Sequence, residues 1–247
     1  MTQETRVAVF RPDDERLSEA VELLESLGAD PVADPMLAVE PTGAGPREDA
    51  DYTVLTSKTG VELARAEGWE PSGTTCAIGN RTARALREAG YEVDLVPEEF
   101  SSTGLVRALE GEVGGARVEV ARSDHGSPVL TDGLNDAGAY VHETVLYELV
   151  RPPESGVSAE RAAAGELEGA LFTSSLTVEH FLAAAAERGL REEAVAGLSS
   201  GIVGAIGEPT RVTAEREGIA VDVVPDAASF DELACDVVER AAPSHHE

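Results

Sequence analysis

Ala77-Ile78-Gly79-Asn80-Arg81-Thr82 closes a short apolar run on a glycine, and the pattern returns as Ala205-Ile206-Gly207-Glu208-Pro209-Thr210. Laid on each other without gaps, the stretches that begin there share Ala77, Ile78, Gly79, Thr82, Gly90, Val93, Asp94, Val96, Pro97, Ser101 and Leu105 with their counterparts. That is 11 of 29 positions, where ordinary residue usage gives about two or three. Leu55-Thr56-Ser57 with Val61-Glu62 answers Phe172-Thr173-Ser174 with Val178-Glu179. Arg6-Val7, Val9 and Arg11 answer Arg117-Val118, Val120 and Arg122. The chain reads as two copies of one βα-built domain.

Outward from these stretches, apolar runs alternate with helical patterns. Strands are expected at Arg6 to Phe10, Pro31 to Val39, Tyr52 to Leu55, Thr75 to Ile78, Glu92 to Val96 and Arg117 to Ala121. Others are expected at Tyr140 to Leu149, Gly169 to Phe172, Gly201 to Ile206 and Ala220 to Val224. Asp13 to Leu27 carries Leu17, Val21, Leu24 and Leu27 on one stripe with Gly28 as its stop, a helix signature. Such alternation predicts an α/β protein with parallel sheets covered by helices. Arg151-Pro152-Pro153-Glu154-Ser155-Gly156 and the Gly/Pro-rich Pro41 to Pro46 read as linkers, so a middle domain is expected to be inserted into the other.

The 247 residues carry 19 Lys+Arg against 47 Asp+Glu, a net charge of -28, with 42% apolar residues. The apolar share excludes an acidic disordered segment, and the lack of a basic stripe argues against a nucleic-acid partner. The acids are spread over the polar faces, and Lys58 is the only lysine. That pattern reads as adaptation to molar salt, a halophilic source, because screening over about 3 Å suppresses self-repulsion. The longest apolar run, Phe181 to Ala186, is too short to cross a bilayer. The N-terminus lacks an export pattern, so a soluble cytoplasmic protein is expected. Cys76 and Cys235 are expected as buried free thiols. His125, His142 and His180 are isolated, His245-His246 lies near the end, and no metal site is expected.

Hydroxyl residues cluster where helices follow strands: Thr56-Ser57-Lys58, Gly79-Asn80-Arg81-Thr82, Thr173-Ser174-Ser175 and Gly207-Glu208-Pro209-Thr210. Ligands of parallel α/β sheets sit at these carboxyl ends, where free backbone N–H groups favour anions. The same residues also serve simply as helix caps. Lys58, at a helix start, is either an anion contact or an accident of composition. No dinucleotide, P-loop or nucleophile-elbow motif is present.

The chain resembles the uroporphyrinogen-III synthases over nearly its whole length. The resemblance rests on Val9-Phe10-Arg11-Pro12, Val54-Leu55-Thr56-Ser57 then Val61, Ala77 to Ala83, Val96-Pro97, Val145-Leu146-Tyr147, Leu171 to Ser175, and Ala205-Ile206-Gly207 with Thr210. It implies two flavodoxin-like domains joined by a two-stranded linker, with the active site in the cleft between them. Residues 1–36 plus 153–247 would form a discontinuous domain around an insert of 40–148, with linkers near 37–40 and 149–152. The implied reaction closes hydroxymethylbilane to uroporphyrinogen III with inversion of the D ring and loss of water, without metal or organic cofactor. An azafulvene and then a spirocyclic intermediate are the usual proposal.

By the same resemblance Tyr147 is a candidate general acid, with an aromatic strand anchor as its alternative, and Thr82 and Thr210 are candidate substrate contacts. Arg11, Thr56, Ser57, Lys58, Arg81, Thr173, Ser174 and Ser175 are candidate contacts to the substrate's eight carboxylates. Glu208-Pro209 and Arg211-Val212 depart from the family pattern around Thr210. A monomer is expected, with transient handover of substrate from hydroxymethylbilane synthase. The alternative is a non-catalytic two-domain sensor of a tetrapyrrole or other organic anion.

Overall fold

The computed structural model describes residues 5–242; His245 and His246 lie outside them. The first segment holds β1 (Arg6–Phe10), α1 (Glu15–Ser26) and β2 (Asp30–Ala33). The middle holds β3 (Ala38–Pro41), β4 (Tyr52–Leu55), α2 (Lys58–Ala66), β5 (Thr74–Ala77), α3 (Asn80–Glu88), α4 (Ser102–Leu109), β6 (Arg117–Ser123), α5 (Pro128–Asp136) and β7 (Tyr140–Val150). The last holds α6 (Val157–Ala163), β8 (Gly169–Phe172), α7 (Ser175–Glu187), α8 (Arg191–Leu198), β9 (Ile202–Ala205), α9 (Glu208–Arg216) and α10 (Phe230–Ala241). No helix among the described residues is long and apolar enough to cross a membrane.

Contacts divide the chain into two compact units, residues up to Ala38 with those from Val150 onward, and Val39–Leu149. The first unit has a sheet of order β2-β1-β8-β9, and the second one of order β3-β7-β6-β4-β5. The pairings β1–β2, β1–β8, β8–β9, β4–β5, β4–β6 and β6–β7 are all parallel.

The apolar runs are unbroken because both faces of each sheet are covered. In β1, Ala8 and Phe10 enter one core with Met36, Phe172 and Phe181, while Val7 and Val9 enter another with Leu17, Leu24, Leu171 and Leu233. Phe10 stacks on Phe172 at 4.7 Å between ring centroids, and Phe181 meets Phe172 edge-on at 5.7 Å. In the second unit Leu55, Ala121 and Leu146 pack with Val61, Trp69 and Leu86, while Val54 and Val120 pack with Leu105, Leu130 and Leu134. Each buried Val, Leu, Met or Phe among them contributes roughly 1.5–3 kcal/mol on leaving water.

Three expected strands are corrected. Pro31 to Val39 is broken into β2 and β3, which belong to different sheets. At the break, buried Asp34 accepts hydrogen bonds from the Gly156 and Ser158 amides, each at 2.8 Å, and from the Ser158 hydroxyl. The Asp34 amide still donates to Val9 O at 3.2 Å, and the chain leaves the first sheet only beyond it, at Pro35, which has no amide proton to give. Glu92 to Val96 and Ala220 to Val224 form single bridges, Cys76 to Leu95 and Gly204 to Val223. Asp94 takes the Thr75 amide on its carboxylate, and Asp222 takes that of Val203, both at 2.8 Å, so a side chain occupies a donor that a strand partner would use.

The helices before these segments end on Gly90 (φ 93°) and Gly218 (φ 91°), a left-handed conformation that other residues enter at a cost. Cys76 is buried, and burial with nearby Asp94 pushes its thiol up to about 12. Cys235 is exposed, contrary to expectation, on the outward face of α10.

Candidate active site

In the second unit β4 and β5 stop at the paired residues Leu55 and Ala77, and Ser57 and Gly79 each lie two residues beyond. Both have extended backbones and cap a helix, α2 and α3 respectively. Ser57 Oγ accepts the Gly60 amide at 2.9 Å. A Cβ on Gly60 would lie 3.1 Å from Ser57 Oγ and 3.4 Å from Leu146, so the first turn of α2 packs closely on β7.

That approach brings the next residue of β7 into the same corner. The register between β6 and β7 shifts at Arg122/Ser123, and the buried Tyr147 donates its hydroxyl to Ser57 Oγ at 3.0 Å. A serine hydroxyl has two acceptor positions and one proton. Gly60 and Tyr147 occupy both acceptor positions, so any further bond from Ser57 is one it donates.

Asp124, just past β6, holds the backbone around Tyr147. Its amide donates to Tyr147 O at 3.2 Å, and its Oδ1 accepts the Leu149 amide at 3.0 Å and lies 2.9 Å from His125 Nδ1. Partial burial would raise this carboxyl, yet the bonds from His125 and Leu149 outweigh it and hold it below the usual carboxylate range. Sequence reasoning passed over Asp124 as one acid among many, and read His125 as isolated.

Thr82 is buried in the first turn of α3, while Arg81 is exposed there. Thr56 is half-buried at the end of β4. Lys58 is exposed and pairs with Glu62 at 3.3 Å one helical turn on, an ordinary surface ion pair. Thus Thr56, Ser57, Lys58, Arg81, Thr82 and Tyr147 share one carboxyl rim, and Ser57 and Tyr147 are in direct contact.

The first unit holds the remaining candidates at the carboxyl ends of β1, β8 and β9. Thr173 donates to Phe10 O at 2.7 Å, and Ser174 caps α7 in a reciprocal box with Thr177. Ser175 donates to Pro209 O at 3.1 Å and accepts from Thr213 Oγ1 at 2.9 Å. These hydroxyls hold backbone together in the structure. Thr210 is buried in the first turn of α9, as Thr82 is in α3.

Glu208 heads α9 and pairs with Arg211 at 2.9 Å, and Arg211 also reaches Glu215 at 2.8 Å. The bond from Arg211 lowers the Glu208 carboxyl below its ordinary range. An anion therefore already sits at this helix start, unlike that of α3. Arg11 lies over the Phe230 ring, 4.3 Å from its centroid, with its Nε buried and unpartnered. Burial, then Arg16, keeps its guanidinium below the ordinary value.

A hollow of about 880 Å³ bounded by Asp49, Asp51, Glu92, Asp94 and Arg117 lies at the opposite, amino edge of the second sheet. Its carboxylates repel an anionic ligand, so size alone does not make it the site. The carboxyl rim, with its helix starts and hydroxyls, is the better place for anionic and acid chemistry.

The family model for uroporphyrinogen-III synthase HemD matches residues 18–235. A Methanothermobacter thermautotrophicus protein with a provisional assignment as that synthase is 32% identical over 244 residues, covering 92% of this chain and 95% of its own length. The uroporphyrinogen-III synthase of Synechococcus elongatus is 31% identical over 198 residues, 75% of this chain and 73% of that protein. In fold, the crystal structure of a mutant uroporphyrinogen III synthase from Thermus thermophilus is similar, with a TM-score of 0.66 at 22% identity over 96% of this chain and 98% of the other.

Proposed function

The chain belongs to the uroporphyrinogen-III synthase family, and on that premise we propose how its residues carry out the closure of hydroxymethylbilane to uroporphyrinogen III. The activity is that of a lyase in tetrapyrrole biosynthesis. The observation that carries the mechanism is the Tyr147–Ser57 hydrogen bond at the carboxyl rim of the second sheet.

The A-ring C–O bond must break, and its oxygen must leave as water. Ser57 has only its own proton to offer outward, and the more acidic phenol of Tyr147 stands behind it as the donor that replaces that proton. Ser57 thus protonates the departing hydroxyl while Tyr147 protonates Ser57. The A-ring pyrrole N–H gives up its proton as the azafulvene forms, and the same nitrogen takes a proton back when the terminal ring attacks the azafulvene carbon. The proton lost from the terminal ring after attack, fragmentation and reclosure restores the phenol, so the net change is loss of one water. Asp124 positions Tyr147 through the backbone. Thr82, Arg81, Thr56 and the first turn of α3 take substrate carboxylates on this rim; Arg11, Thr173, Ser174, Ser175 and Thr210 are the corresponding contacts of the first unit. Lys58 contributes by charge once Glu62 releases it.

The repeated residues and the paired Asp94 and Asp222 bonds support descent of the two units from one duplicated domain, with the second unit inserted into the first. A monomer in a salt-rich cytoplasm, receiving its unstable substrate directly from hydroxymethylbilane synthase, completes the reading.

A double-mutant cycle tests the relay. Tyr147→Phe and Ser57→Ala should each lower kcat, and the double variant should be little slower than Ser57→Ala alone. Effects that multiply would contradict a shared proton path.

A further inference from the structure

We infer that Phe100 is a substrate-binding residue, a platform against which a pyrrole ring of the linear tetrapyrrole stacks. This rests on the synthase reading above. Phe100 is 57% exposed, on a chain with only five phenylalanines and an otherwise acid-rich surface. It follows the Cys76–Leu95 bridge and precedes Ser101, the cap of α4. Its position in the second copy of the repeat is Ala228, so neither the fold of the copies nor the cap requires an aromatic ring there.

The ring is presented on a fixed backbone. Ser101 Oγ donates to Glu99 at 2.8 Å and accepts the Gly104 amide at 3.0 Å, and Arg107 reaches Glu99 at 2.8 Å. A Cβ on Gly104 would lie 1.9 Å from Glu99 O, so the segment before Phe100 sits directly on α4. One side of Phe100 is seated on Gly79, where an added Cβ would lie 3.1 Å from the Phe100 Cβ and 3.2 Å from its ring. Gly79 caps the helix that carries Thr82 and stands beside Ser57 in the β4–β5 register. Tyr147, Ser57, Gly79 and Phe100 therefore run in sequence along one rim. A flat, electron-rich pyrrole fits this exposed ring face, while the flanking helix starts take the carboxylates it bears.

The test compares wild type, Phe100→Ala and Phe100→Tyr in molar KCl, measuring KM and kcat for hydroxymethylbilane and the melting temperature. Phe100→Ala should raise KM about three- to tenfold, the range expected for one lost aromatic contact, with kcat within about twofold and melting unchanged. Phe100→Tyr should restore KM. An unchanged KM in Phe100→Ala, or a rise that Phe100→Tyr does not reverse, would overturn the assignment while leaving the synthase reading intact. A wild-type chain that forms no type III isomer would overturn that reading and this one together.

Discussion

Tyr147 and Ser57, 90 residues apart in sequence, meet at 3.0 Å, the phenol donating to a serine that already accepts a helix-capping amide. The contact uses an exposed-edge feature of the fold, a helix start, as a support for an acid. Its loss therefore separates chemistry from packing.

Tyr147→Phe keeps the ring in its core and leaves Ser57 capping α2 through the Gly60 amide, so no buried polar atom is orphaned. Stability should fall by about 1 kcal/mol, the net value of one hydrogen bond, or about 2 to 4 °C in melting temperature, while kcat falls at least tenfold. A large melting loss with unchanged specific activity would assign Tyr147 to packing.

Asp124→Asn should lower kcat by loosening the backbone around Tyr147, and its stability effect should depend on pH. Because the folded carboxyl lies below its unfolded value, near 3.9 in model peptides, its contribution is complete above that value. It is lost as pH falls through the folded value. Melting curves of wild type and variant should differ at about pH 6 and converge as pH falls through the folded value. A difference that grows toward low pH would contradict the assignment.

Much of this was legible in the sequence, and the losses have a common cause. Strands buried on both faces, such as Val7 to Phe10 and Ala170 to Phe172, announce themselves as unbroken apolar runs. Glu92 to Val96 and Ala220 to Val224 also carry strand-like apolar residues, but the carboxylates of Asp94 and Asp222 occupy amides a ladder would need. At the end of β2 the Asp34 carboxylate holds the start of α6, more than a hundred residues away, a contact that no local pattern announces. In the site, Ser57 and Tyr147 could be named singly, while their contact depends on the register shift at Arg122/Ser123. Asp124 has no local pattern to distinguish it from 46 other acids.

Glu208→Ser should lower KM at low salt, because it removes the anion at the start of α9 without touching Thr210. The gain should fade in molar KCl, where screening makes a single exposed charge unimportant. A salt-independent change, measured from full saturation curves, would place the effect elsewhere.

With 47 acids against 19 bases, the fold should loosen in dilute buffer, and melting temperature and turnover should rise together toward molar KCl. Unchanged melting and full activity at roughly 0.05 M salt would show that the fold does not depend on screening.

Isomer control is measured by incubating the full chain with freshly made hydroxymethylbilane in molar KCl and separating the oxidised porphyrins by chromatography. Unassisted closure gives the type I isomer. The chain should give predominantly type III product, with Tyr147→Phe shifting the mixture toward type I; a type I fraction equal to that of the protein-free control would show that the chain does not direct the closure.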